Sequence, residues 1–180
     1  MAGLKTIWNT QLTDVKATDV EGVGRIRIDD TGNMYRWVKN TTTNWTPTAG
    51  TLACHAFTDG NSTTVGLELT TIYQPATATL GLLAGVVMAA MSASTGTNPL
   101  IYGWIQILGH NASVSVTPVN TQTTANPVAG NALIAANAVG YAATGQAMGT
   151  APSYTRKLLL LDSVAGSTTV QTCNVLVQCL

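Results

Sequence analysis

The stretch from Gly24 to Lys39 constrains this chain more than any other, because its pattern fits one local structure. Ile26 and Ile28 alternate with Arg25 and Arg27, the two-residue period of a strand. Asp29-Asp30-Thr31-Gly32-Asn33 follows. Its carboxylates can accept nearby N–H groups and its glycine can take positive φ, which is turn chemistry. Met34–Lys39 resumes the alternation, with Met34, Arg36 and Val38 on one face and Tyr35, Trp37 and Lys39 on the other. The spacing predicts a β-hairpin.

The rest of the chain extends that reading. Thr51–Phe57 and Thr64–Thr71 read as short strands around the turn Asp59-Gly60-Asn61. Leu100–Leu108 is rich in β-branched and aromatic residues, and Ser113–Val119 alternates across a Pro118 that suits a sheet edge. Lys157–Val164 and Thr169–Leu180 read as two further strands around Ala165-Gly166-Ser167. Periodicity alone leaves Leu80–Met91 open between helix and strand. Gly81 and Gly85 weaken a helix and Val86-Val87 favours a strand, so a buried strand beginning near Gly85 is expected. The Ala- and Gly-rich Asn131–Met148 permits close backbone approach but specifies little shape. The fold class is therefore mainly β, a single β-barrel or β-sandwich domain over residues 23–180. Residues 1–22 show no period and read as an extended N-terminal arm with apolar anchor points.

Composition narrows the function. Charged residues are 9% of the chain, against about 25% in ordinary soluble domains. Eight basic residues balance eight acidic ones, so nothing gathers a phosphate backbone and no nucleic-acid partner is expected. A surface this poorly charged invites association and suits an assembly protein. Leu80–Met91 is too short to span a bilayer, and MAGLKTIWNT does not have the build of a signal peptide. Neither a membrane partner nor a leader is expected. Cys54, Cys173 and Cys179 have unrelated spacings that form neither a disulfide framework nor a zinc pattern.

Catalytic groups are scarce. The two histidines are His55 and His110. Cys54 adjoins His55, but neighbouring strand residues point to opposite faces, which denies the thiol its base. Asp29 and Asp30 belong to a turn, and Glu68 and Asp162 are isolated acids in strands. No phosphate-binding loop, dinucleotide fingerprint or metalloprotease motif occurs. The expectation is a structural protein, not an enzyme, with no cofactor, metal or small-molecule substrate.

Four segments carry a resemblance. Gly24-Arg25-Ile26-Arg27, Asp30-x-Gly32 and Met34-Tyr35-Arg36-Trp37-Val38-Lys39 resemble the opening hairpin of tailed-bacteriophage capsid decoration (cement) proteins. Tyr102-Gly103-Trp104-Ile105-Gln106-Ile107-Leu108-Gly109 is similar to a strand common in that group. Asn131-Ala132-Leu133 with Gly140, and Lys157–Asp162, match more loosely. The resemblance implies a virion protein made in the bacterial host cytoplasm. It would sit on the outer capsid surface, bind the major capsid protein and form a homotrimer.

The residues suited to such contact are Leu4, Ile7, Trp8 and Leu12 in the arm, Trp45 in the Thr-rich loop Asn40–Gly50, and Tyr102 and Trp104 on one strand face. Trp8 and Trp45 lie in irregular polar sequence and are the preferred contacts. Tyr102 and Trp104 can equally fill the protein's own core. Two other readings stand beside this one. One is a tail or head–tail component, the other a β-sandwich glycan-binding or adhesin module using Trp45 or Trp8 as a sugar platform.

Overall fold

The structure is a computed structural model that describes residues 8–57, 67–74, 83–97, 99–116, 129, 132–135, 142–144, 158–162 and 170–179. The described residues form strands and no helix: β1 (Val15–Lys16), β2 (Ile26–Ile28), β3 (Met34–Asn40), β4 (Leu52–Phe57), β5 (Leu67–Tyr73), β6 (Leu83–Val87), β7 (Tyr102–Val116), β8 (Ala132–Ala135), β9 (Ala142–Thr144), β10 (Leu158–Leu160) and β11 (Gln171–Gln178). The expected mainly β class is correct.

Five strands close on themselves. β3 pairs β5 in parallel, and the antiparallel pairs β5–β4, β4–β6, β6–β7 and β7–β3 complete a barrel. Closure removes the sheet edges that a hydrophobic open sheet would expose. Beyond the barrel, β7 runs on to pair β11, and β10, β8 and β9 continue that sheet until β9 meets β7 again at Val116↔Ala142. One hydrophobic cluster passes through both regions, from Leu52, Ile72 and Val86 to Val114, Leu160 and Val177.

The hairpin forms as its pattern predicts, with Arg27 opposite Tyr35 and Ile28 opposite Met34. The strand expected near Gly85 is β6, and all five of its residues are buried. The two strands expected at Leu100–Leu108 and Ser113–Val119 are instead one continuous strand, β7. At Gly109 its backbone takes φ +106°, and a Cβ there would run into the side chain of Asn33. That Asn33 Oδ1 accepts the His110 N–H at 3.0 Å. Asn131–Met148, expected to have little shape, supplies the short strands β8 and β9.

The expected arm needs correction. From Trp8 onward it lies on the body: Val15 and Lys16 pair with Gly103 and Tyr102 of β7. Contact this close is possible because residue 103 is glycine, where a Cβ would sit 2.7 Å from Met91 Cε and 3.3 Å from Val15 Cγ1. Residues 1–7 lie outside the described residues, as do Pro118, the turns at 59–61 and 165–167, and Gly140.

Candidate functional site

The strands that carry the resemblance, β3 and β7, are hydrogen-bonded neighbours, with Trp37 directly opposite Trp104. Alternation along each strand puts both indoles on the outer face of the barrel, with Tyr35 and Gln106. The rings meet edge to face, centroids 5.2 Å apart at 63°, and Trp8 meets Trp104 at 5.6 Å and 84°. These are the preferred geometries of aromatic quadrupoles. Leu12, Met88 and Tyr102 pack around the cluster.

Polar groups of the N-terminal segment then hook each buried ring. Trp104 Nε1 donates to Thr10 Oγ1 at 2.9 Å, and Trp37 Nε1 donates to Asp19 Oδ1 at 2.9 Å. Asp19 also accepts the Gly22 and Val23 N–H groups at 2.8 and 2.9 Å, which fixes its carboxylate. Thr10 donates through both its backbone N–H and its hydroxyl to Glu21 Oε1, at 2.7 and 2.8 Å. Glu21 is only 5% exposed. Its second oxygen lies 3.5 Å from Arg25 Nη1, an ionic contact without a hydrogen bond. The Arg25 guanidinium lies 4.7 Å from the Trp8 ring centre and that of Arg27 lies 5.6 Å away, while Arg27 Nη1 donates to the Thr10 carbonyl at 3.1 Å. Arg27 of β2 and Arg25 just ahead of it thus face the tryptophan layer.

The hairpin turn is a second polar centre. Asp29 accepts from Thr31, Asn33 and the Tyr35 hydroxyl. Burial works against its ionised form, but these hydrogen bonds prevail and hold the carboxyl at about 2. Burial, and the Asp29 charge beside it, push the Tyr35 phenol up to about 12.

The residues singled out by sequence are divided by the structure. Trp8, Leu12, Tyr102 and Trp104 come together in the outer layer, where Lys39 Nζ lies 5.8 Å from the Tyr102 ring centre. Trp104 is fully buried, so it fills this protein's own core. Trp45 is a correction: it is 5% exposed and belongs to the barrel core. The cause is Asn40, fully buried, whose Nδ2 donates to the carbonyls of Trp45 and Ser92 at 3.0 and 2.9 Å and folds the loop inward. Trp8 is half-buried, held between Trp104 and the arginines, and is no free contact residue. Leu4 and Ile7 lie outside the described residues.

Other chemistry-bearing groups are dispersed. Cys54 belongs to the core cluster, whereas His55 Nδ1 lies 3.3 Å from the Thr71 carbonyl. Cys173 is buried, and burial followed by the nearby Asp162 charge pushes its thiol up, away from nucleophilic thiolate. His110 Nε2 lies 2.9 Å from Asn174 Oδ1, and the Asn174 N–H donates to Asp162 at 2.9 Å. Among the described residues no group of three or more His, Cys, Asp or Glu side chains could hold a metal ion.

What the sequence did not disclose is the apolar surface. Val20, Val23, Ile26 and Ile28 are all exposed, Ile28 by 60%. The alternation in β2 separates the isoleucines from the arginines without saying which set packs. The structure puts the arginines on the packed side, over Trp8, and leaves the isoleucines exposed. The available signal was the number of tryptophans, each able to hold a guanidinium on its face. Compared with known protein families, curated proteins and solved structures, the chain finds no match.

Proposed function

We propose that this protein is a structural virion component that decorates and stabilises a phage head. It binds the outer surface of the major capsid protein shell, as a homotrimer. The observation that carries the reading is the pairing of β3 with β7. Two segments far apart in sequence each resemble cement proteins, and they are one unit in space, Trp37 against Trp104. A resemblance scattered by chance would have no reason to fall on adjacent strands. The charge-poor composition and the exposed apolar side chains of β2 also suit a surface meant to be covered.

Residues 1–7, with Leu4 and Ile7, are the segment proposed to reach a capsid neighbour, starting from the anchor at Trp8. Attachment at several subunits multiplies modest affinities, and a ligand of the assembled shell stabilises that state. The glycan-binding alternative loses its platform: Trp45 is buried, and Trp8 carries arginines over its ring.

The test is addition of purified protein to capsids that lack it. Binding and a higher rupture temperature are expected, and removal of residues 1–7 weakens binding. Failure to bind discards the proposal. Copy number in virions separates the tail alternative: decoration requires copies comparable with the major capsid protein, and a tail component far fewer.

A further inference from the structure

Residues 9–21 close on themselves. Asn9 Nδ2 donates to the Val20 carbonyl at 3.0 Å, and the next residue at each end, Thr10 and Glu21, are bonded to each other. Between the ends, the Gln11 N–H donates to Asp14 Oδ2 at 3.2 Å and the Asp14 N–H donates back to the Gln11 carbonyl at 3.1 Å. A stretch of this length whose ends meet and whose groups bond within it is an Ω-loop, a compact unit of its own.

This loop is fastened to the barrel at few points. Among the described residues its backbone pairs with β7 through Val15 and Lys16 alone. Leu12 and Val15 lay half-buried side chains on the body. The remaining ties are side-chain bonds, from Arg27 of β2 and Trp104 of β7 to Thr10, and from Trp37 of β3 to Asp19. Of residues 8–23 only Thr10 and Glu21 are buried. What water fails to reach is therefore the polar pair that closes the loop. Little buried apolar surface and an exposed backbone are the marks of a segment that opens well below the free energy of global unfolding. Its closure converges on one carboxylate: the Thr10 N–H and hydroxyl both donate to Glu21 Oε1, and an ionised acceptor makes such bonds the strong ones.

We infer that residues 9–21 are a clasp over the tryptophan layer that opens and closes as one unit, with Glu21 as its latch, while the barrel stays folded. When Thr10 parts from Glu21, the Trp104 indole loses its acceptor in the same event, because Thr10 Oγ1 is bonded to both. Asp19, two residues before Glu21, carries the hook on Trp37, so the two ends leave together. A ladder of two residues is too short to hold the loop alone. The barrel keeps its β3–β7 ladder and its inner core, to which the clasp contributes Val15 at the margin. In the open form the edges of Trp37 and Trp104 meet water with their N–H groups free to donate. This device belongs to the chain itself and stands apart from the capsid reading.

Native-state hydrogen exchange of the full chain, resolved group by group by NMR, tests it. Three protons report on the clasp, the Thr10 amide and the indole N–H groups of Trp104 and Trp37. The Val87 amide, bonded to the Thr51 carbonyl, reports on the barrel. The three clasp protons are expected to share one protection factor, lower than that of Val87 and less dependent on urea, since opening the clasp exposes little surface. Glu21→Gln keeps the volume and removes the charge. It should lower the protection of all three about tenfold and leave Val87 unchanged. Asn9→Ala, at an exposed position that spares the latch, should shift the same three by less. A Glu21→Gln effect confined to Thr10, with the Trp37 indole unmoved, overturns opening as a unit. An equal loss at Val87 overturns its independence of the barrel, and an unchanged Thr10 amide removes Glu21 as the latch.

Discussion

The two faces of β3 are both buried, yet they are filled by opposite means. Inside the barrel, Val38 packs among aliphatic side chains such as Leu52, Ile72, Val86 and Ile105. Dispersion and burial hold this face, and neither has direction. Outside, the buried side chains of Tyr35, Trp37, Trp104 and Gln106 each have a polar handle that is used. Tyr35 donates to Asp29, Trp37 to Asp19 and Trp104 to Thr10, while Gln106 accepts from Asn111 at 2.7 Å and donates to the His110 carbonyl at 3.0 Å. The inner face specifies volume. The outer face specifies which segment may cover it, and selects the Thr10–Glu21 stretch.

The largest effect expected of that difference is at Trp104. Trp104→Ala removes a fully buried ring that touches both Trp8 and Trp37, and is expected to cost about 3–5 kcal/mol. Inside, Ile105→Leu keeps its volume and should cost less than about 1.5 kcal/mol. Urea denaturation of both variants measures the contrast; comparable losses would break it.

Next comes Thr10→Val, which keeps the shape and deletes one hydroxyl. That hydroxyl donates to Glu21 and accepts from Trp104. Its loss leaves a buried indole N–H without an acceptor, at a cost of about 1–3 kcal/mol. The same swap on an aliphatic face would be mild. A midpoint unchanged from wild type would show that the outer layer is held by burial alone.

Acid should loosen the outer face first. Asp29 titrates near 2 in the fold against 3.8 ordinarily, so its folded value is depressed. Its contribution is therefore complete above about pH 4 and is lost as pH falls toward 2. Asp29→Asn should flatten the pH dependence of stability in that window and lower stability at neutral pH by about 1 kcal/mol. A variant with the wild-type acid profile would remove Asp29 from the account.

Much of this was legible in the sequence, for a physical reason. The hairpin, β6 and the strand character of Tyr102–Leu108 follow from alternation and β-branching, which are local. What stayed hidden depends on contacts distant in sequence. Trp45 sits in polar loop sequence, and only Asn40 reaching Ser92 draws it inside. The continuity of β7 goes with Asn33 meeting Gly109 and His110 from the hairpin turn ahead of β3. The sidedness of β2 was not legible in its alternation, since an arginine counts as a surface residue until an indole is placed beneath it.

That stacking frames the smallest prediction. Arg25 stands over Trp8 and beside Glu21, so Arg25→Ala removes a cation–π contact and an ionic one together. Because Arg25 is itself substantially exposed, the stacking is worth about 0.5–1 kcal/mol. A double-mutant cycle with Trp8→Leu isolates that share, since leucine covers Trp104 without offering a π face. If the coupling lies in that range, a guanidinium holds the lid of the outer layer and β2 must keep its isoleucines on the side it exposes. If the coupling is zero, the arginines merely cover Trp8, and the outward set of Ile26 and Ile28 must be explained by what later covers them.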